Sequence, residues 1–406
     1  MKIRLTNSKV FYCMIFNVII LLGLGGCFSP SNSSNNSTIQ STANQTSQPS
    51  DTQQDVKQVT VIEGLEHPWG MDWLPNGDIL ITERPGRLRI VKNGKLEPEP
   101  IKGVPEVFAV GQGGLLDVSV HPNFEENGYI YLTYASGTRN SNQTRIARAI
   151  LEENRLRDVK VMFEVSPMKT GGQHFGSRLQ WLNDGTLLAS IGDGGNPPLK
   201  INGELSRKQA QKLNSYLGKI IRINDDGSIP DDNPFLGKEN ANPAIWSYGH
   251  RNIQGLTIDK QTGQVWSTEH GSRGGDELNK IVAGENYGWP VVTHSQEYTG
   301  GEISDKRSLP GMIDPLVVWT PAIAPSGLTF YDGDKFMEWQ GGLFAGGLVA
   351  REVRHIDLND AGEIVAEYAI KFEQRVRDVK QGPDGFIYVL TDDRNGKLIR
   401  LEPVNN

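Results

Sequence analysis

Only two cysteines occur in the chain, Cys13 and Cys27, and none follows them. This excludes a disulfide framework and thiol chemistry for the bulk of the protein, which must be held by its core or by bound metal. Long apolar runs are equally scarce: Val10–Leu24, broken by Asn17, has no counterpart further on. Sustained helical periodicity is nearly missing, and residues 206–217 are the best helical candidate. Positive charge is in deficit. The net charge of −7 becomes −8 once residues 1–56, with three basic and two acidic side chains, are set aside (38 basic against 46 acidic). That argues against nucleic acid, whose protein partners present basic surfaces, and it is compatible with cation binding.

The scarce features that do occur fall at the N-terminus. Lys2, Arg4 and Lys9 precede the apolar run, and Leu24-Gly25-Gly26-Cys27 looks like a bacterial lipoprotein cleavage box. A basic segment followed by a short apolar one reads as a secretory signal over residues 1–26; an uncleaved anchor helix is the alternative. Cleavage would leave Cys27 to carry lipid. The stretch that follows is nearly all Ser, Asn, Thr, Gln and Pro. It cannot bury enough apolar surface to offset its ordering entropy, so residues 27–56 read as a lipidated, flexible tether. The expected location is outside the cytoplasm, on the periplasmic or outer face of a membrane, which the protein meets through its lipid alone.

Residues 57–406 repeat one theme: an apolar strand, a turn with Gly or Asp, and a second strand ending in Thr or Ser. It runs through 70–82, 116–133, 178–190, 254–268, 326–345 and 377–391. Alternating apolar and polar residues around Asn-Gly, Asp-Gly and Thr-Gly are a hairpin signature. Six units over residues 57–403 give roughly 58 residues each, enough for four strands and a loop. The expected fold is all-β, a six-bladed β-propeller with extended loops at one end of its channel; a β-sandwich or two β domains is the alternative. Insertions over 200–244, within 270–325 and near 138–143 are expected to rim that end.

Several side chains suited to chemistry lie just before a hairpin's first strand, and such starts converge in a propeller. Gln112 sits in a bare glycine loop. His174 is glycine-flanked and has the proton affinity for general-base work. Arg251 and Asn252 pair a cation with an amide, and Arg375 and Arg377 are spaced to share a strand face. The loop Gly271-Ser272-Arg273-Gly274-Gly275, followed by Asp276 and Glu277, offers main-chain and carboxylate oxygens of the kind Ca²⁺ prefers. Each has an ordinary structural explanation when taken alone. Together they suit a planar, polyanionic cofactor and a neutral polyol.

Seven motifs in order resemble the pyrroloquinoline quinone (PQQ)-dependent aldose sugar dehydrogenases of the soluble glucose and sorbosone dehydrogenase type. They are His-Pro-Trp-Gly at 67–70, Gly-Gln-Gly-Gly-Leu-Leu-Asp at 111–117, His-Phe-Gly-Ser-Arg-Leu at 174–179, Gly-His-Arg-Asn-Ile-Gln-Gly at 249–255, Gly-Gly-Asp-Glu-Leu-Asn at 274–279, Asn-Tyr-Gly-Trp-Pro at 286–290 and Arg-Val-Arg-Asp at 375–378. The resemblance spans about 58–403. It implies that His174 removes the anomeric hydroxyl proton, that Gln112 lines the quinone and sugar, and that Arg251 and Asn252 hold PQQ and polarise its carbonyl. It further implies that Arg375 and Arg377 grip the carboxylates. One Ca²⁺ would take main-chain oxygens of Gly271 and Ser272; a second, structural one would take Glu277 and the Tyr287 carbonyl. Ser272 stands where some members have proline, Gln173 where the glucose enzyme has an acid, and no lysine occupies Gly346–Arg351, leaving Arg351 as its possible substitute. The implied reaction oxidises an aldose to a lactone, with electrons passing to an acceptor such as a quinone or cytochrome. Two readings stand against it: a non-catalytic glycan- or partner-binding propeller, and a Ca²⁺-dependent lactonase needing several carboxylates around one open cation.

Overall fold

The computed structural model describes residues 56–404; the signal, Cys27 and nearly all of the tether lie outside the described residues. Six four-stranded antiparallel sheets follow one another along the chain. Blade 1 is Pro68–Trp73, Ile79–Glu83, Arg87–Lys92 and Lys95–Leu96, and blade 2 is Leu115–Val120, Tyr129–Thr138, Ser141–Glu152 and Arg155–Glu164. Blade 3 is Leu179–Trp181, Leu187–Ile191, Lys219–Ile223 and Ile245–Tyr248, and blade 4 is Ile253–Ile258, Val265–Glu269, Asp276–Ile281 and Val317–Trp319. Blade 5 is Pro325–Phe330, Leu343–Gly347, Glu352–Leu358 and Ile364–Lys371. Blade 6 is Val376–Gln381, Ile387–Thr391 and Gly396–Pro403, completed by the first strand, Val56–Leu65. The expected six-bladed propeller is what forms, and each hairpin read from sequence supplies the two inner strands of one blade.

Apolar residues of facing blades make the core, for example Leu88, Leu115 and Leu132 between blades 1 and 2, and Phe344, Val376 and Val389 between blades 5 and 6. Polar latches join the same blades around the channel. A Thr or Ser of the second strand donates its hydroxyl to a carbonyl near the next blade's start: Thr82 to Leu116, Thr133 to Ser177 (2.7 Å) and Ser190 to Ile253 (3.2 Å). On the innermost strands, carboxylates accept backbone N–H groups of the neighbouring blade, Asp72 from Val120, Asp117 from Leu179 and Asp378 from Met71. Buried backbone groups that no ladder reaches are thereby satisfied.

The helix expected over residues 206–217 forms only as a 3₁₀ turn, Ser206–Gln211. The fully buried ammonium of Lys219 donates to the carbonyls of Gln209, Ala210 and Leu217, diverting acceptors that a longer helix would use internally. The expected rim also needs correction. Lys219 pairs with Ile191 and Ile223 with Leu187, so residues 192–218 emerge at the end where first strands begin, whereas 224–244 emerge at the opposite end. Residues 282–316 leave blade 4 at that opposite end but climb its flank. Trp289 reaches Asp193 and Gln211, and Ser295 reaches Gly274.

Candidate active site

At the end where the first strands begin, a cavity of about 350 Å³ opens into the channel. Its wall includes Gln112, Asn252, Arg375 and Arg377, which the sequence singled out, joined by Trp69, Leu116 and Phe175 as apolar surface. His174 and Arg251 lie directly behind this wall, both buried.

His174 occupies the left-handed region, with φ of 50°, an uncommon and costly conformation for a side chain of this size. Its surroundings hold it there. Gln112 Oε1 accepts its backbone N–H at 2.7 Å, and a Cβ added at Gly192 would lie 2.3 Å from its carbonyl oxygen. Nδ1 lies 2.6 Å from Asp193 Oδ1. The other oxygen of that carboxylate accepts the indole N–H of Trp289 at 2.8 Å, and the Gly195 N–H also reaches Oδ1. Burial works to raise the Asp193 pKa, but His174 and then Arg251 hold it below the ordinary carboxylate value. Burial and Arg251 together lower the His174 pKa against the opposing pull of Asp193. An anionic acceptor beside a neutral ring places the imidazole proton on Nδ1. Nε2, which has no hydrogen-bond partner among the described residues, keeps its lone pair.

Arg251 donates to the carbonyl of His270 (3.0 Å) and to Asn196 Oδ1 (2.7 Å), and its Nε is buried without a partner. Asn252 Oδ1 accepts the Gly176 N–H at 3.2 Å, leaving its amide N–H groups for a ligand. His270 donates Nε2–H to the Pro325 carbonyl, and burial takes its pKa down to about 3, so it faces the cavity as a neutral ring.

The opposite wall is cationic. Arg377 binds Asp392 at 2.7 Å and reaches Gln254 Oε1, while Arg84 and Arg375 stand 3.9 Å from the same Asp392 carboxylate. His67 Nδ1 is 3.1 Å from it. Burial, and then the neighbouring guanidiniums, push the pKa values of Arg84 and Arg375 down despite Asp392. Three guanidiniums facing one carboxylate leave a surplus of positive charge, and the Nε atoms of Arg84 and Arg377 are buried and unpartnered. A small, flat polyanion fits that charge and that space. Arg351 does not take part. It is exposed, with its guanidinium on the Glu373 carbonyl, and its segment contributes Leu348 to the wall instead.

The loop bearing Gly271 and Ser272 follows His270, whose ring lines the cavity. The Gly271 N–H donates to Asp276 Oδ1 and the Ser272 N–H to Ser295, which fixes both peptides. Asp276 accepts a second N–H, from Ala324, so one oxygen holds the loop and the other ties it to the start of blade 5. A Cβ at Gly271 would lie 2.2 Å from the Gly274 carbonyl oxygen; only glycine fits. Glu277 and Tyr287 are not brought into the cavity. The Glu277 pKa is pushed well up by burial and by Glu269, and both carboxylates draw on the one Asn279 amide. Glu269 is also met by the Arg251 N–H and by His250, whereas Glu277, half-buried beside it, has only the shared Asn279 amide among the described residues. A carboxylate so placed suits a divalent cation. Tyr287 stacks on His250 at 4.6 Å, and His250 in turn holds Glu269.

Sequence reasoning missed Arg84, His67 and Asp392 as cavity residues, and Asp193 and Trp289 as the supports of His174. A signal existed for Arg84 and Asp392: both follow second strands, which return to the same end as the first strands begin.

Residues 65–400 match the family model described as Glucose / Sorbosone dehydrogenase. An uncharacterised protein of Synechocystis is 60% identical over 86% of this chain and 87% of its own. The solved apo-form of a soluble aldose sugar dehydrogenase from Escherichia coli is 37% identical, with a TM-score of 0.81 over 86% of this chain and 100% of that one. The PQQ-bound form of an aldose sugar dehydrogenase from Streptomyces coelicolor is 27% identical, with a TM-score of 0.70 over 87% and 99%.

Proposed function

The chain belongs to the glucose/sorbosone dehydrogenase family, and from that premise we propose that it oxidises aldoses at the anomeric carbon to lactones. The single observation that carries this reading is His174 with a free Nε2 behind the wall of a cavity whose far side holds Arg84, Arg375 and Arg377. PQQ, when bound, supplies a carbonyl that accepts hydride, and Ca²⁺ supplies a Lewis acid.

The chain's own residues do the rest. His174 Nε2 takes the proton of the anomeric hydroxyl as the carbon–hydrogen bond gives up hydride. Asp193 holds Nδ1–H throughout and stabilises the imidazolium that forms. The fixed guanidinium of Arg251 and the amide of Asn252 supply positive potential and donors where negative charge develops. Arg84, Arg375 and Arg377 would hold the cofactor's carboxylates, a charge-assisted interaction at which guanidinium excels. Trp69, Leu116 and Phe175 supply apolar surface and keep water from the reacting atoms. The peptide oxygens of Gly271 and Ser272 would hold the cavity Ca²⁺; Glu277 and the Tyr287 carbonyl would hold the structural one.

The lactonase alternative needs a cluster of carboxylates around an open cation. Among the described residues no three His, Cys, Asp or Glu side chains converge in that way. We also assign the chain to the cell envelope, tethered through lipid on Cys27, with an acceptor such as a quinone or cytochrome outside the cytoplasm. The test is to add PQQ and Ca²⁺ to the purified protein and follow dye reduction by aldoses. Aldose-dependent reduction is expected. Binding of PQQ without turnover on any aldose would leave a non-catalytic propeller as the better account.

A further inference from the structure

Lys169 is a buried cation beside this site that the chemistry above leaves idle. Its side chain is 3% exposed, and its Nζ has no hydrogen-bond partner. The backbone is fixed by reciprocal bonds with Asn142, both 2.8 Å. From there the side chain runs inward until Nζ lies 3.6 Å over the centre of the Phe175 ring. The stem passes Gly194 so closely that a Cβ there would lie 3.4 Å from Lys169 Cδ. Phe175 directly follows His174, and Gly194 directly follows Asp193. The side chain therefore packs against the neighbours of both members of the pair, its stem beside Gly194 and its amine over Phe175.

A lysine needed only to fill this space is a poor choice. Methionine has nearly its length and carries no desolvation penalty, whereas an unpaired buried ammonium is expensive. We infer that Lys169 is a positioning residue of the His174–Asp193 pair: its charge, packed behind both, keeps the proton off His174 and extends the working range of the base towards lower pH. This rests on the reading of His174 as the base.

The sign follows from the groups that face the imidazole. Asp193 favours its protonation, Arg251 and Lys169 oppose it, and His270 is neutral above about pH 3. Burial lowers the Lys169 pKa and outweighs the opposing pull of Asp193, bringing it down to about 7. Below that pH Lys169 is cationic and disfavours the imidazolium. Above it Lys169 is neutral, and His174 is already deprotonated. The influence is thus confined to the acid limb.

Lys169→Met tests this with two readouts. The first is the NMR titration of the His174 ring in the cofactor-free protein, assigned by the signal lost in His174→Gln. The second is the pH profile of kcat/KM with PQQ, Ca²⁺ and an aldose. The expected results are an upward shift of the His174 titration and of the acid limb together, with the rate deficit closing at alkaline pH. A folded variant whose His174 titration does not move overturns the inference, whatever its activity. A protein that never oxidises aldoses overturns the dehydrogenase reading instead, and the titration still reports on the charge coupling. Should Lys169→Met fail to fold, the wild type decides: the ¹⁵N titration of Lys169 Nζ and a matching inflection in the His174 resonances are expected. Absence of that shared inflection overturns the inference.

Discussion

The indole N–H of Trp289 donates to Asp193 at 2.8 Å across 96 residues of sequence, pinning the carboxylate that in turn holds His174. Trp289 sits on a segment that leaves its blade at the far end of the propeller and climbs back. His174 is therefore aligned by a connection that a short loop could not make. Trp289→Phe keeps an aromatic ring, though a smaller one, and deletes one charge-assisted hydrogen bond to a buried carboxylate, a loss of about 1.5–3 kcal/mol before any cavity cost. The expected outcome is a lower melting temperature and a lower kcat, with PQQ affinity little changed. Unchanged kcat in the folded variant would show that Asp193 needs no such support.

His174→Gln should separate chemistry from cofactor binding. General-base catalysis is typically worth about 10²–10⁴-fold, so kcat is expected to fall by that order. PQQ titrations should remain near wild type, because the guanidiniums that face the cavity are untouched. Calorimetric titration alongside dye-linked assays checks both halves.

Arg377→Ala removes a donor to Asp392 and a candidate partner of the cofactor. PQQ affinity is expected to fall by roughly tenfold to a hundredfold, the equivalent of about 1.5–3 kcal/mol, with partial rescue by excess cofactor. The same variant changes acid stability. Burial raises the Asp392 pKa, but Arg377 and Arg84 hold it well below the carboxylate range. A carboxylate depressed in the folded state contributes stability above its unfolded pKa, near 3.9, and loses it as pH falls through the folded value. With Arg377 gone the two values draw together, so thermal unfolding should depend less steeply on pH below about 4.

Chelation tests the cation reading of Glu277. A cation bound by the folded protein alone stabilises it by about 2.7 kcal/mol at a hundredfold excess over its dissociation constant. Melting curves with added Ca²⁺ and with chelator should differ, and Glu277→Gln should shrink the difference. A chelator-insensitive melting temperature would remove Ca²⁺ from the account of this blade.

The hairpins were legible because each blade's inner strands alternate around Gly or Asp turns, and the hydroxyls on them were visible as a repeat. Thr133 and Ser190 show why that repeat exists: their hydroxyls tie one blade to the next. Gln112, Asn252, Arg375 and Arg377 were legible because the first three precede first strands and Arg377 stands at the start of one. Arg84, Asp193 and Asp392 escaped because they follow second strands, and Trp289 because it reaches Asp193 from another blade's connection. The insertion at 224–244 was misplaced for a related reason. Loop length is written in the sequence, but which end a loop leaves from depends on strand direction. Arg351, the only side chain of its segment that could stand in for a cofactor-binding lysine, has a φ of 52° and a bond to Glu373 and is turned to solvent.

Blade 6 is completed by the first strand: Val56 pairs with Pro403 and Leu65 with Gly396. A ring sealed by its two extremes cannot finish folding while the chain is being made. Blades 1 to 5 can assemble as they emerge, but Val56–Leu65 waits, an unpaired edge strand, until residue 403 is available. Joining the ends of so long a segment is entropically slow, and an exposed strand edge meanwhile invites pairing with other chains. The order of synthesis thus makes the final strand the timing step. Substitutions there, such as Leu401→Ala, should lower the yield of native protein by more than their effect on the finished ring would suggest.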